Sequence, residues 1–158
     1  MITSPKITTA TDITLVTLQN CPSELSFIAG VFEKIGDLGV DVNMISLAPA
    51  HGAYTSVSFT IADNDLDKVL SFTAELRDTV NVQVIVSSGN CIISVYDDGM
   101  KNTPGVAARV FTAASTAGTD IRIITTSAAD ISLLVTAADF PEALKAIEFK
   151  FRRGDRAR

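Results

Sequence analysis

Cysteine, histidine and basic residues are all scarce in this chain, and each shortage removes a class of function. Two cysteines, Cys21 and Cys91, stand far apart in 158 residues and in no Cys-x-x-Cys or Cys/His spacing. They read as reduced thiols, so neither a disulfide framework nor a metal site is expected, and no cofactor. One histidine, His51, leaves the many Ser and Thr hydroxyls without an obvious general base. No Ser/His/Asp set, Gly-Lys phosphate cradle or metal-spaced cluster is present, and the chain reads as a non-enzyme. Thirteen Lys and Arg against eighteen Asp and Glu give a formal net charge of −5, the wrong sign for a nucleic-acid footprint. Aromatic residues make up 6%, and the strands carry Thr, Ser and Val where an RNA-recognition sheet would display aromatics. Apolar runs such as Val84 to Val86 fall far short of the ~20 residues that span a bilayer. The start, "MITSPKITT", lacks a basic region followed by an apolar stretch, so no secretion signal, no membrane association and a cytoplasmic location are expected.

What the chain does have is an internal repeat. Ile28, Val31, Phe32, Ile35 and Leu38 fall at helical spacing, and Ala107, Val110, Phe111, Ala114 and Ala117 repeat them 79 positions later. Each predicted helix stops at a glycine, Gly39 or Gly118, free to take the left-handed conformation that ends a helix. Alternating strands follow, with Val40, Val42 and Met44 in one copy and Ile121 and Ile123 in the other. Next, Val57, Phe59 and Ile61 match Ile131, Leu133 and Val135 at the shorter offset of 74. The five extra residues are "APAHG", Ala48 to Gly52, a longer hairpin loop. A second helix closes each copy, through Leu66, Val69, Leu70 and Leu76 or through Phe140, Ala143, Leu144 and Ile147. Asp139 and Glu142 have the spacing of a capping box.

With strands at Ile13 to Leu18 and Cys91 to Tyr96, both copies read β-α-β-β-α. Val80 to Val86 alternates strictly and completes the first as a ferredoxin-like βαββαβ unit. The second lacks its last strand, and the unused stretch around Lys6 to Thr9 is the candidate to supply it. The expected fold is therefore α+β, two intertwined ferredoxin-like units with antiparallel sheets. The first unit spans 11–88, the second 1–10 plus 89–152, and 153–158 is a solvated basic tail. Four-stranded sheets with helices on one face leave a face or edge to cover, so a homodimer through the sheets is expected.

The start of the second copy's first helix, "GMKNTPG", suits an anion. The first N–H groups of a helix have no internal partners, Pro104 loses nothing there, and Gly105 lets a ligand approach the backbone. The strand after the helix exposes Asp120 and Arg122, and the first copy exposes Asp41 and Asn43 at matching points. A small zwitterion fits this pattern, although Pro-Gly helix starts are most often empty.

These residues resemble a family. "GMKNTPGVAARVFTAASTAGTDIRIITTSAADISLLV" closely resembles the second ACT domain of aspartokinases, and "LSFIAGVFEKIGDLGVDVNMISL" looks like the first. The resemblance covers Ile7 to about Phe149 and is most specific in Gly99-Met100-Lys101, Pro104 to Ala108, Phe111, Gly118 and Thr126-Ser127. It implies a regulatory module of lysine biosynthesis that binds an aspartate-pathway amino acid, of the lysine or threonine class, where ACT domains meet. It also implies that the first domain is inserted in the second. The partner it implies beyond a second copy is a kinase catalytic domain, for which these residues leave no room. Effector contacts carried over are Cys21, Glu24, Leu25 and Ser26 with Asp41, Val42 and Asn43. The second-copy equivalents are Asn102, Thr103, Pro104 and Gly105 with Asp120, Ile121 and Arg122. Leu25-Ser26 departs from the family's usual Pro-Gly, and Arg122 stands where an acid is frequent. An arginine there would repel an ammonium, so the first copy is the expected effector site, with His51 at its rim. The alternative is a structural dimerisation module with no ligand, and which amino acid is bound is not legible.

Overall fold

A computed structural model describes residues 5–154, and the tail expected at 153–158 lies largely outside them. The elements in order are β1 (Lys6–Pro22), α1 (Leu25–Asp37), β2 (Ile45–Leu47), β3 (Tyr54–Ala62), α2 (Leu66–Thr79), β4 (Gln83–Tyr96), α3 (Val106–Thr116), β5 (Ile121–Thr126), β6 (Asp130–Thr136) and α4 (Phe140–Gly154). Short 3-10 turns precede α2 and α3.

The chain divides into two compact units, one of residues 12–89 and the other of the described residues before Asp12 together with Asn90 onward. In the 12–89 unit the strands run β2-β3-β1-β4, with β3 antiparallel to both β1 and β2. In the other the order is β1-β4-β6-β5, with β6 antiparallel to both β4 and β5. Both are the antiparallel ferredoxin-like arrangement the repeat implied.

Two pairs of strands expected to be separate are continuous. Lys6 to Thr9 and Ile13 to Leu18 fuse into β1, and the strand expected from Val80 starts only at Gln83, since the Val80 N–H still closes α2 onto the Leu76 carbonyl, and runs through into Cys91 to Tyr96 as β4. The sequence marks a break at each join, but Asp12 (φ 58°) and Gly89 (φ 70°) take the left-handed conformation and bend the strand without ending it.

Each unit has its own core. Val16, Leu18, Val31, Ile35, Val57, Phe59, Ile61 and Val69 pack together in one, where the Phe32 and Phe59 rings meet edge to face at 5.4 Å. Ile93, Val95, Val110, Ala114, Leu133, Val135, Ala143 and Ile147 do so in the other. Full burial of each such aliphatic or aromatic side chain contributes about 1.5–3 kcal/mol. Both cysteines are buried. Gly39 (φ 72°) and Gly118 (φ 69°) end α1 and α3 as expected, with the Val40 and Thr119 N–H groups folding back onto the Ile35 and Ala114 carbonyls.

Two expectations are corrected. In the first copy the strand after the helix begins at Ile45, not Val40. The Met44 N–H donates to the Thr60 hydroxyl (2.9 Å), which interrupts the ladder, although Val40 and Met44 remain buried. The capping box at α4 does not form as expected. The Asp139 carboxylate accepts from the Asp120 N–H (3.0 Å), and Glu142 pairs with Lys145 (3.3 Å).

Candidate functional site

In the 12–89 unit, β1 ends where Pro22 faces Tyr54, and the Ser23 N–H donates to the Ala53 carbonyl (2.9 Å), tying the start of α1 to the β2–β3 loop. Glu24 caps α1 through its backbone alone: its carbonyl accepts from the Phe27 and Ile28 N–H groups, and no side chain bonds the first turn. Glu24, Leu25 and Ser26 are exposed, Leu25 to 75%. His51, on the same loop, bridges to Tyr54 through its backbone (2.7 Å for the His51 N–H) and is exposed, placing it beside the helix entrance. Cys21 is different. It is wholly buried in the core, and that burial pushes its thiol up, so it offers a ligand no side chain.

Asp41, Val42 and Asn43 stand elsewhere. The Asn43 N–H donates to the Thr60 carbonyl (3.1 Å), whereas Cys21 pairs with Thr55. Five residue steps along β3, from Thr55 to Thr60, separate those anchors, about 17 Å. Asp41 and Asn43 are exposed and Val42 packs on the core. The two halves of the first-copy site therefore lie at opposite ends of one sheet, and a single unit does not bring them together.

The other unit repeats this division with a more built entrance. The Asp97 carboxylate accepts from the Gly99 N–H (2.8 Å), and the Met100 and Thr103 N–H groups close successive turns. Asp98 accepts from Tyr96 Oη (3.0 Å) and Lys101 Nζ (3.1 Å). The lysine, and then the phenol, hold the Asp98 carboxyl below its ordinary range, while that hydrogen bond pushes the Tyr96 phenol up. Asn102 (φ 62°) and Gly105 (φ 93°) are left-handed, and α3 starts directly after Gly105. There Thr103 and Gly105 line a cavity of about 200 Å³ with Met100, Thr126, Ser127 and Ile131. Asn102 and Pro104 are exposed on the same loop. The sequence reading did not count Thr126 and Ser127 as site residues; their signal was only their place in the family motif.

Asp120, Ile121 and Arg122 lie at the far end of that unit, Ile121 opposite Val135, while Ile131 lines the cavity. Arg122 pairs with Asp120 at 3.3 Å. Its charge is thus partly balanced by the exposed carboxylate just before β5, which weakens its repulsion of an ammonium. Among the described residues no group of His, Cys, Asp and Glu is arranged to hold a metal ion, and no helix is long and apolar enough to cross a membrane.

Residues 93–151 match the family model of the ACT domain. The chain is similar to an aspartokinase of Bacillus sp. (strain MGA3), 26% identical over 141 residues, covering 89% of this chain and 34% of that protein. It spans about a third of the length of the curated aspartokinases it matches. Among solved structures, the ligand-free regulatory subunit of aspartate kinase from Thermus thermophilus superposes with a TM-score of 0.85 at 23% identity, over 95% of this chain and 98% of that one. E. coli aspartokinase III in complex with lysine and aspartate superposes with a TM-score of 0.71 at 19% identity, over 92% of this chain and 32% of that one. The fold is thus that of these aspartokinase regulatory subunits.

Proposed function

We propose that this chain, with an ACT domain over residues 93–151 and the fold of aspartokinase regulatory subunits, senses an amino acid and reports it to a kinase catalytic part. The effector is an aspartate-pathway amino acid of the lysine or threonine class, in keeping with the lysine bound by the E. coli relative. The observation that carries the reading is the separation of the first-copy site into halves about 17 Å apart along β3. A two-fold partner pairing edge to edge along β2 would run antiparallel to the first copy, so the helix entrance of one faces the strand start of the other. Among the described residues β2 has a neighbour only on its β3 side, and Ile45 and Leu47 on it are half exposed, as an edge awaiting a partner would be.

In that assembly the effector carboxylate meets the N–H groups opening α1 at Glu24, Leu25 and Ser26, whose first turn has no side-chain cap. Its ammonium meets Asp41 and Asn43 of the partner copy, with His51 at the rim. Because ligand and partner complete one another, binding favours one paired arrangement over others. A coupling of about 1–3 kcal/mol suffices to change an attached enzyme several-fold.

Calorimetry with lysine, threonine and methionine, run beside sedimentation, tests the reading. One amino acid is expected to give heat and to strengthen self-association, and Asn43→Ala to weaken that binding roughly tenfold while leaving Tm unchanged. No heat with any of them leaves the ligand-free dimerisation module.

A further inference from the structure

At the opposite edge of the 12–89 unit from β2, a polar cleft of about 380 Å³ opens between the end of α2 and the start of β4. Asn20, Arg77, Asn81 and Gln83 line it, over a floor of Val82 and Val84. None of these belongs to the effector half-sites.

Arg77 carries the only formal charge in the lining, in a chain whose net charge is −5. Its guanidinium is exposed, makes one long hydrogen bond to the Val84 carbonyl (3.4 Å), and among the described residues has no carboxylate within ion-pair reach. The repeat shows that the scaffold does not require a cation at this position. Arg77 is the twelfth residue of α2, and the twelfth residue of α4 is Phe151, buried in the core of its unit. Asn20 is also unusual. It sits at φ 56° beside the register shift between Leu18 and Cys21, and its side-chain amide donates to the Asn81 carbonyl at 2.7 Å, fixing the cleft wall. A left-handed non-glycine residue beside an open polar cleft is a feature that functional sites retain.

We propose that this cleft binds a small monocarboxylate. Beyond its one long bond to the Val84 carbonyl, the Arg77 guanidinium keeps donors that match a carboxylate in two parallel hydrogen bonds, and the Asn81 and Gln83 amides supply donors at its sides. Val84, half-buried, is the apolar contact for a short tail, since Val82 beneath it belongs to the core. No acidic side chain lines the cleft to take an ammonium, so a zwitterion is not its ligand. The carbonyl end of α2 lies at the cleft and carries partial negative charge, which opposes any anion and a phosphate dianion more strongly than a monocarboxylate.

The test is a titration of the full chain with propionate, followed by two-dimensional NMR of the side-chain amide and guanidinium signals. Propionate is expected to shift the Asn81, Gln83 and Arg77 signals together, with a millimolar dissociation constant typical of so small a ligand. Arg77→Met should abolish the shifts and Arg77→Lys weaken them about tenfold, since an ammonium does not offer the fork. Asn20→Gly keeps the left-handed backbone, removes the amide that holds the wall, and should weaken binding with the fold intact. Shifts that survive Arg77→Met, inorganic phosphate binding as well as propionate, or no shift localised to the cleft would each overturn the proposal. Arg77→Met leaves the Asn43-dependent effector binding untouched, so failure here and failure there are separate results.

Discussion

The two units share a plan and differ at the start of their first helix. Seventy-nine positions before Pro104 and Gly105 stand Leu25 and Ser26. Gly105 adopts φ 93° and holds α3 back to Val106, while Leu25 and Ser26 are already helical and α1 starts directly on the extended Glu24. The loop before α3 is braced by Asp97, Asp98 and Thr103; that before α1 is short and tied to the β2–β3 loop through Ser23. One unit thus has a rigid, walled entrance, and the other a bare helix end beside an exposed loop. Duplication preserves the cores and leaves the entrances free to diverge, because the cores must bury apolar surface and the entrances need only close a turn.

The sharpest way to break the comparison is to unfold one unit and watch the other. Phe59→Ala empties a fully buried site and should cost about 3–5 kcal/mol. β1 and β4 each give strands to both units, so calorimetric melting should still show one transition, at a lower Tm. Two separated transitions would make the units independent.

A smaller effect probes the entrances themselves. Gly105→Ala forces a side chain into a left-handed backbone and should destabilise by about 1–2 kcal/mol. Ser26→Ala, at the matching but helical position, should change stability by less than about 0.5 kcal/mol. Equal effects in chemical denaturation would mean the two entrances are alike after all.

The smallest is a matter of pH. The folded-state pKa of Asp98 is lowered, so the bracing it gives is present above its unfolded value and is lost as pH falls through the folded one, in the acid range. Tyr96 is raised, so its contribution holds at neutral pH and disappears only in alkali, as pH rises through its folded value. In a Tyr54→Phe background, ultraviolet titration should find Tyr96 ionising above an ordinary phenol, and Asp98→Asn should bring it back down. An unmoved curve would remove that brace from the description.

The helices, their glycine stops and the two cores were legible in the sequence, since Ile28 to Leu38 and Ala107 to Ala117 carry a period that only one packed face explains. The first copy's strand start was misread because Val40, Val42 and Met44 alternate as a strand would, yet the Thr60 hydroxyl takes the Met44 N–H. Cys21 looked like a ligand contact by position and lies in the core, because the register shift after Leu18, with Asn20 left-handed, turns it to the same face as Leu18. The sequence named candidate residues, and their positions at opposite ends of a sheet came only from the strand pairing.

By itself the sequence determined the repeat, the element types and the apolar faces, since these depend on local spacing and on which side chains water excludes. Only the tertiary structure decided that β1 and β4 run unbroken through both units, and that the helix entrance and strand start of each copy stand at opposite ends of a sheet. Register and strand direction follow from pairing between residues distant in the chain, and no local pattern carries that information.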